Sequence, residues 1–131
     1  MPSIFSRIVA REIPAHILDE DDDFLAFLDT RPIREGHTLV IPKAEVPDVF
    51  DLPDRLLAGI LPFASPVAQA IKEVTGADRV GMAVIGLEVP HAHIHLVPID
   101  SIYDIDFRRA APADDDELAA TAERIRSALA R

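Results

Sequence analysis

The feature that most constrains the fold is the stretch Val89-Pro90-His91-Ala92-His93-Ile94-His95-Leu96-Val97-Pro98, where three of the chain's five histidines fall at every second position. Strict alternation of this length is the pattern of a strand with two unlike faces. One face carries His91, His93 and His95; the other sends Ala92, Ile94 and Leu96 into a core. At about 3.3 Å per residue the outer two rings are anchored roughly 13 Å apart. Three polar rings on one face need partners or water, so function is to be sought on this strand.

The other elements follow from periodicity. Ile4, Phe5, Ile8 and Val9 have helical spacing over residues 3–11, with Ser3 as N-cap, and Pro14 ends that element. A short extended piece at 16–18 leads into the acidic run Asp19-Glu20-Asp21-Asp22-Asp23, read as a solvated turn. Residues 24–29 form a strand covered on both faces, and 37–41 its antiparallel partner, stopped by Pro42. The main helix has Asp51 as N-cap, an apolar stripe of Leu56, Ile60, Ala64, Val67, Ile71 and Val74, and Gly76 as its stop. Pro62 and Pro66 each cost on the order of 3 kcal/mol inside a regular helix, so a kink or two shorter helices is expected. A strand at 79–86 precedes the histidines, and a helix over 114–131 follows with Leu118, Ala122, Ile125 and Leu129 on one face. There is no internal repeat and no linker. The expectation is one α+β domain, residues 1–131, built on an antiparallel sheet.

A formal net charge of −10 works against nucleic-acid polymers, whose binding needs clustered cations. A single nucleotide is not excluded, because backbone N–H groups and a few placed side chains can hold a small anion. No stretch reaches the roughly 18 apolar residues of a membrane span, and the N-terminus lacks a signal-peptide core. With no cysteine there are no disulfides, thiolate metal sites or cysteine nucleophile. A cytoplasmic protein with no membrane partner is expected.

Histidine can be nucleophile, general acid or anion donor near neutral pH. In a row of three, one ring can attack phosphorus while its neighbours donate hydrogen bonds to the phosphoryl oxygens, splitting one displacement into two. His93, with a donor on either side, is best placed to attack. Alternate histidines can equally chelate zinc with a third ligand from elsewhere, or form a polar strand face satisfied by backbone. Spacing alone leaves all three open.

The surrounding residues decide between them. His91-Ala92-His93-Ile94-His95-Leu96-Val97 resembles the His-φ-His-φ-His-φ-φ signature of the histidine-triad (HIT) family, where φ is apolar. The likeness covers about residues 3–98, with Ile4-Phe5, Glu12-Ile13-Pro14-Ala15, the acidic turn, Leu25-Ala26-Phe27-Leu28-Asp29 and Gly36-His37-Thr38-Leu39-Val40-Ile41-Pro42-Lys43 in the family's order. The resemblance implies a HIT-like α+β protomer, paired as a homodimer, that hydrolyses nucleoside phosphoramidates or related purine nucleotide substrates without a cofactor. It implies His93 as the nucleophile that accepts the nucleoside monophosphate, His95 as a phosphate contact, and His91 and His37 as the network orienting these rings. Asp29 would bind the ribose hydroxyls, or else cap the turn at Thr30. Phe27 would wall the base pocket, or else be a core phenylalanine. Gly86 would sit where backbone approaches phosphate. A nucleotide-binding protein with little catalysis, or a dinucleoside polyphosphate hydrolase, are the alternatives.

The departures are informative. Many family members bind a structural zinc through two N-terminal cysteines and a histidine after the Pro-Lys of the second strand; here those positions read Ser3, Ser6 and Glu45. Losing all three soft ligands points to a branch without zinc, and no metal site is expected. The loop before the triad shrinks to Ile85-Gly86-Leu87-Glu88, the chain has no asparagine, and Glu88 replaces a serine that contacts phosphate in some members. An ionised carboxylate there repels a phosphate unless it points away or the leaving group is cationic. Histidine at the last triad position favours hydrolysis over nucleotidyl transfer.

Overall fold

Short apolar strands, too brief to bury themselves, hydrogen-bond into one antiparallel sheet, and three helices cover it. The structure is a computed structural model that describes residues 2–131; Met1 lies outside the described residues. In chain order the elements are α1 (Ile4–Val9), β1 (Ile17–Glu20), β2 (Phe24–Leu28), β3 (Thr38–Pro42), α2 (Asp54–Thr75), β4 (Arg79–Ala83), β5 (Ile94–Ile99) and α3 (Asp115–Leu129). The strands lie in the order β1-β2-β3-β5-β4, every neighbouring pair antiparallel. This is the mixed α+β architecture the sequence predicts.

The sheet separates two cores, and the alternation of side chains explains both. Phe24, Ala26, Leu28, Val40, Ile94 and Leu96 point to one face, where they meet Leu56, Ile60, Val67 and Ile71 of α2 and Leu118, Ala122 and Ile125 of α3. Each such Leu or Ile contributes roughly 1.5–3 kcal/mol by leaving water. Leu25, Phe27, Leu39 and Ile41 point to the other face, where α1 supplies only Phe5 and Ile8. α1 is six residues long and cannot cover the whole sheet. The uncovered part of that face is where β5 presents its histidines.

Three local expectations change. The histidine stretch is not one strand: residues 87–91 bend, and β5 begins only at Ile94. The reason is the backbone: the Ala92 N–H donates to the Val46 carbonyl, so the chain at His91–His93 is tied to the loop after β3 rather than to the β3 ladder. Of the two outcomes expected at the prolines, two shorter helices are not found: α2 runs unbroken through Pro62 and Pro66. Both prolines lie on the exposed side, where water can take up the carbonyls that lose a partner. The N-cap position of α2 is Pro53; Asp51 falls in a short 3-10 turn that Asp48 caps by accepting from the Phe50 N–H. Gly76 ends α2 in the left-handed region, φ 71°, as expected.

Candidate active site

β2, β3 and β5 deliver the site together. Phe27 pairs with Leu39, and Leu39 with His95, so these three share one face of the sheet. Asp29 and His37 lie just beyond the paired ends of β2 and β3, joined by the Asp29 N–H donating to the His37 carbonyl at 3.0 Å. His91, His93 and His95 are 0%, 6% and 8% exposed. Each therefore needs an internal partner, and the partners fix the tautomers.

The Ile33 N–H donates to His37 Nδ1 at 2.9 Å, so a neutral His37 carries its proton on Nε2. That Nε2 lies 3.0 Å from His95 Nδ1, which must accept, leaving His95 with its proton on Nε2. His93 Nδ1 is 2.7 Å from the His91 carbonyl, an acceptor only, so Nδ1 carries the proton and Nε2 keeps its lone pair. His91 Nε2 likewise donates to the Pro42 carbonyl at 2.7 Å, and its Nδ1 accepts from the Ser3 hydroxyl at 2.8 Å. Backbone and hydroxyl groups thus give each ring a definite direction.

The electrostatics agree with neutral rings. Burial pushes His37 down to about 4. Burial, with repulsion from His37 and His93, pushes His95 down to about 4 against the attraction of Asp29. Burial also lowers His91, opposed by its bond to Pro42 and by Glu45. Asp29 is raised by burial, although the Arg31 N–H and the nearby rings hold it back. Asp29 Oδ2 lies 3.6 Å from His37 Nε2, too long for that ring's main hydrogen bond, and a ring neutral at pH 7 makes no ion pair there.

A cavity of about 400 Å³ opens over this face, lined by His93, His95, Asp29, Gly86 and Glu88 on its polar side, and by Ile4, Phe5, Leu39, Val89 and Phe107 on its apolar side. That size and mixture suit a small polar ligand with one flat apolar part. Gly86 has φ 75°, a conformation glycine adopts without strain. Another cavity of about 410 Å³ lies against α3 and reaches His37 from behind, but neither His93 nor His95 opens into it.

Two metal possibilities can be tested on these contacts. Asp29, His37 and His95 are the one group of ligand-type side chains close enough to share an ion among the described residues. The Ile33 N–H at His37 Nδ1 keeps a proton on Nε2, the nitrogen that would have to bind it, so this set does not fit. At the second place Ser3, Ser6 and Glu45 converge on His91. Glu45 accepts from the Ser3 N–H and from the Ser6 hydroxyl, the latter at 2.7 Å, and these bonds hold its carboxyl below the usual range. Hydrogen bonds engage each of these groups, and no thiolate is present to favour zinc. This cluster joins α1 to the histidine stretch by hydrogen bonds, beside the edge-on contact of Phe5 with His91 at 5.9 Å.

Of the predicted residues, the structure brings His93, His95, Asp29, Gly86 and Glu88 to one cavity, with His37 and His91 bonded behind them. Phe27 does not line it; the ring backs Phe5 at 5.6 Å inside the smaller core. One oxygen of Asp29 caps the turn through the Arg31 N–H at 2.9 Å, so the capping reading accounts for half of that side chain. The fifth histidine, His16, is away from the site, paired with Asp115 at 2.8 Å. Sequence reasoning missed Phe107, whose ring meets His95 edge-on at 4.8 Å from a 3-10 turn (Phe107–Arg109). Its segment is strapped to the loop after β2 by the Ala113 N–H donating to the Thr30 carbonyl at 3.1 Å. No periodic signal marks such a residue.

Comparison with known proteins gives a consistent result. The model of the HIT domain matches residues 10–102. Adenosine 5′-monophosphoramidase HNT1 of Saccharomyces cerevisiae is 38% identical over 96 residues, 72% of this chain and 61% of its own. A HIT-like protein from Bartonella henselae superposes with a TM-score of 0.86 at 29% identity, covering 96% of this chain and 95% of its own. A zinc-bound histidine triad family protein from Mycobacterium smegmatis gives 0.83 at 34% identity, covering 97% and 92%.

Proposed function

This chain belongs to the HIT family, and from that premise we propose that it is a nucleotide hydrolase that releases a nucleoside monophosphate from a phosphoramidate or a related substituted phosphate. The observation that carries the reading is the His93 ring. Its Nδ1–H is held by the His91 carbonyl at 2.7 Å, so the bare Nε2 belongs to a ring lining the cavity. The yeast relative, a monophosphoramidase by name, points to the same substrate class.

In this reading the base lies against Ile4, Phe5 and Leu39, and Asp29 accepts from the ribose hydroxyls. His93 Nε2 attacks phosphorus, forming the N–P bond as the bond to the leaving nitrogen breaks. The leaving nitrogen takes a proton as it departs, and the water that later cleaves the histidine–phosphorus bond gives one up. Solvent supplies and takes up these protons, while His95 Nε2–H, oriented by His37, donates a hydrogen bond to a phosphoryl oxygen in both halves. His91 holds its neighbour's tautomer. Glu88 and Gly86 line the phosphate end. No metal or cofactor takes part.

The proposal extends to residues 1–131 as one unit, because Leu118, Ala122 and Ile125 of α3 share the core of α2. It also includes a homodimer in the cytoplasm: β4 is an edge strand with Met82 half exposed, and Leu57 and Leu61 of α2 stand partly in solvent. No helix among the described residues is long and apolar enough to cross a membrane.

The test is hydrolysis of adenosine 5′-phosphoramidate by wild type and His93→Ala. A loss of at least about 10³-fold in kcat is expected, with a nucleotidyl adduct on His93 in acid-quenched wild type. An unchanged rate would overturn the mechanism. The second reading, nucleotide binding with little catalysis, is favoured by the short loop at 85–88, and calorimetric binding of AMP with no turnover would support it.

A further inference from the structure

We propose that the cavity is a charge filter in which Glu88 selects substrates whose leaving group carries a cation, such as an alkylammonium, over those whose leaving group is itself a phosphate. The inference rests on the hydrolase reading and goes beyond it to the substrate class. Its basis is the sign of everything that lines the cavity. Two carboxylates, Asp29 and Glu88, face the space, and no Lys or Arg among the described residues does. Glu88 stands exposed on the rim and makes no ion pair among the described residues.

The arginines on the strap that carries Phe107 do not correct this balance. Arg108 is held by both oxygens of Asp106, at 3.0 and 2.9 Å, and Arg109 lies 3.9 Å from Asp104. Arg34, from the loop before β3, is shared between Asp100 and Asp104 at 3.1 and 2.8 Å. What remains to hold a phosphoryl group is uncharged: the ring N–H of His95 and the backbone around Gly86. Such donors suit the single negative charge of a nucleoside phosphoramidate, a monoester. A polyphosphate leaving group adds further anions beside Glu88, with no cation to oppose them.

The backbone of Glu88 stands close in the chain to the reacting ring. It adjoins Val89, whose carbonyl accepts from the His91 N–H at 2.8 Å, and His91 in turn holds His93. A charge on the leaving group therefore meets the carboxylate at the cavity mouth, where screening by water is partial. At separations of roughly 6–8 Å and intermediate dielectric, one unit charge changes the rate constant by about tenfold.

The experiment compares three AMP phosphoramidates of equal length, made from butylamine, 1,4-diaminobutane and 4-aminobutyrate. For wild type, kcat/KM is expected to fall in the order cationic, neutral, anionic, spanning roughly 10²-fold at low salt and less at high salt. Glu88→Gln is expected to compress the span to within about threefold. Equal rates in wild type, or a span that persists in Glu88→Gln, would overturn the filter and leave the hydrolase reading standing. Should no compound turn over, the hydrolase reading fails instead. Dissociation constants for the same three compounds, measured calorimetrically on wild type and Glu88→Gln, then decide the filter by the same criterion.

Discussion

His91 and His95 lie four residues apart, one before β5 and one within it, yet their surroundings differ in kind. At the His91 end both ring nitrogens are engaged by protein: the Pro42 carbonyl at 2.7 Å and the Ser3 hydroxyl at 2.8 Å, with the ionised Glu45 behind. At the His95 end one nitrogen is engaged, by another neutral ring at 3.0 Å, and the other remains on a ring that lines the cavity. The same residue type is thus a structural tie in one place and open to the cavity in the other. The distinction is the number of nitrogens left over, not burial, since both rings are almost wholly covered. His93 belongs to both regions: it takes its tautomer from the first and opens onto the second.

The largest effect should come from breaking the reactive end. His37→Asn removes the donor that gives His95 Nδ1 its partner, and so removes the reason for a proton on His95 Nε2. A fall of about 10²–10³-fold in kcat is expected, with KM changing much less, because the loss falls on stabilising the charge that develops on the phosphoryl oxygens in the transition state. Steady-state kinetics on adenosine 5′-phosphoramidate check this. If kcat barely moves, His37 is packing material and the contrast between the two ends is lost.

Acid should separate the ends next. His37 and His95 stand near 4 in the fold against about 6.5 in an unfolded chain. Above pH 6.5 neither state binds protons at these rings and their contribution does not vary. As pH falls from 6.5 towards 4 the unfolded chain takes up protons that the fold refuses, so stability falls, by about 3 kcal/mol for one ring with this shift. Asp29, whose value is raised, acts in the opposite sense: it loses stability as pH rises from its unfolded value of 3.8 through its folded one. Urea unfolding at steps from pH 7 to 4.5 measures the fall, and in His37→Asn the slope over that window should be shallower. An equal slope would mean that the histidines do not set acid sensitivity.

Much of this contrast was legible in the sequence, and what was not has physical causes. Alternation alone gave the two faces of the histidine stretch, because a strand's side chains must alternate whatever they pack against. The histidine row, with His93 as the attacking ring, was legible from spacing; Asp29, Gly86 and Glu88 came from the likeness to a family, since they lie past the end of β2 and in the loop before β5, which no local pattern connects to it. The continuity of α2 was not legible because proline is read as a breaker from its own chemistry, whereas its cost depends on whether water reaches the freed carbonyls. Phe27 carried two readings, pocket wall or core: alternation puts it on the correct face but cannot say that Phe5 covers it. Ser3, Ser6 and Glu45 were noticed for the ligands they lack. That they bond to one another and to His91 depends on how α1 is set against the loop after β3, which is tertiary information.

The smallest effect should be at the structural end, and it is the sharpest test of the contrast. Ser3→Ala leaves His91 Nδ1 buried without a donor, because the alternative hydroxyl, on Ser6, is 3.4 Å away and already donates to Glu45. An unpaired buried acceptor costs about 1–3 kcal/mol, so urea unfolding at pH 7 should show a loss in that range. The Ser3 side chain also caps α1 by accepting from the Ser6 N–H at 2.9 Å, which places the loss towards the upper end. The His91 carbonyl that sets His93 is backbone, tied through its neighbour Ala92 to Val46, and it does not need the serine. For the folded fraction kcat should therefore stay within about threefold of wild type. A stable Ser3→Ala with impaired catalysis would reverse the assignment: the hydroxyl would then belong to the chemistry, and the two ends of the histidine row would be one system.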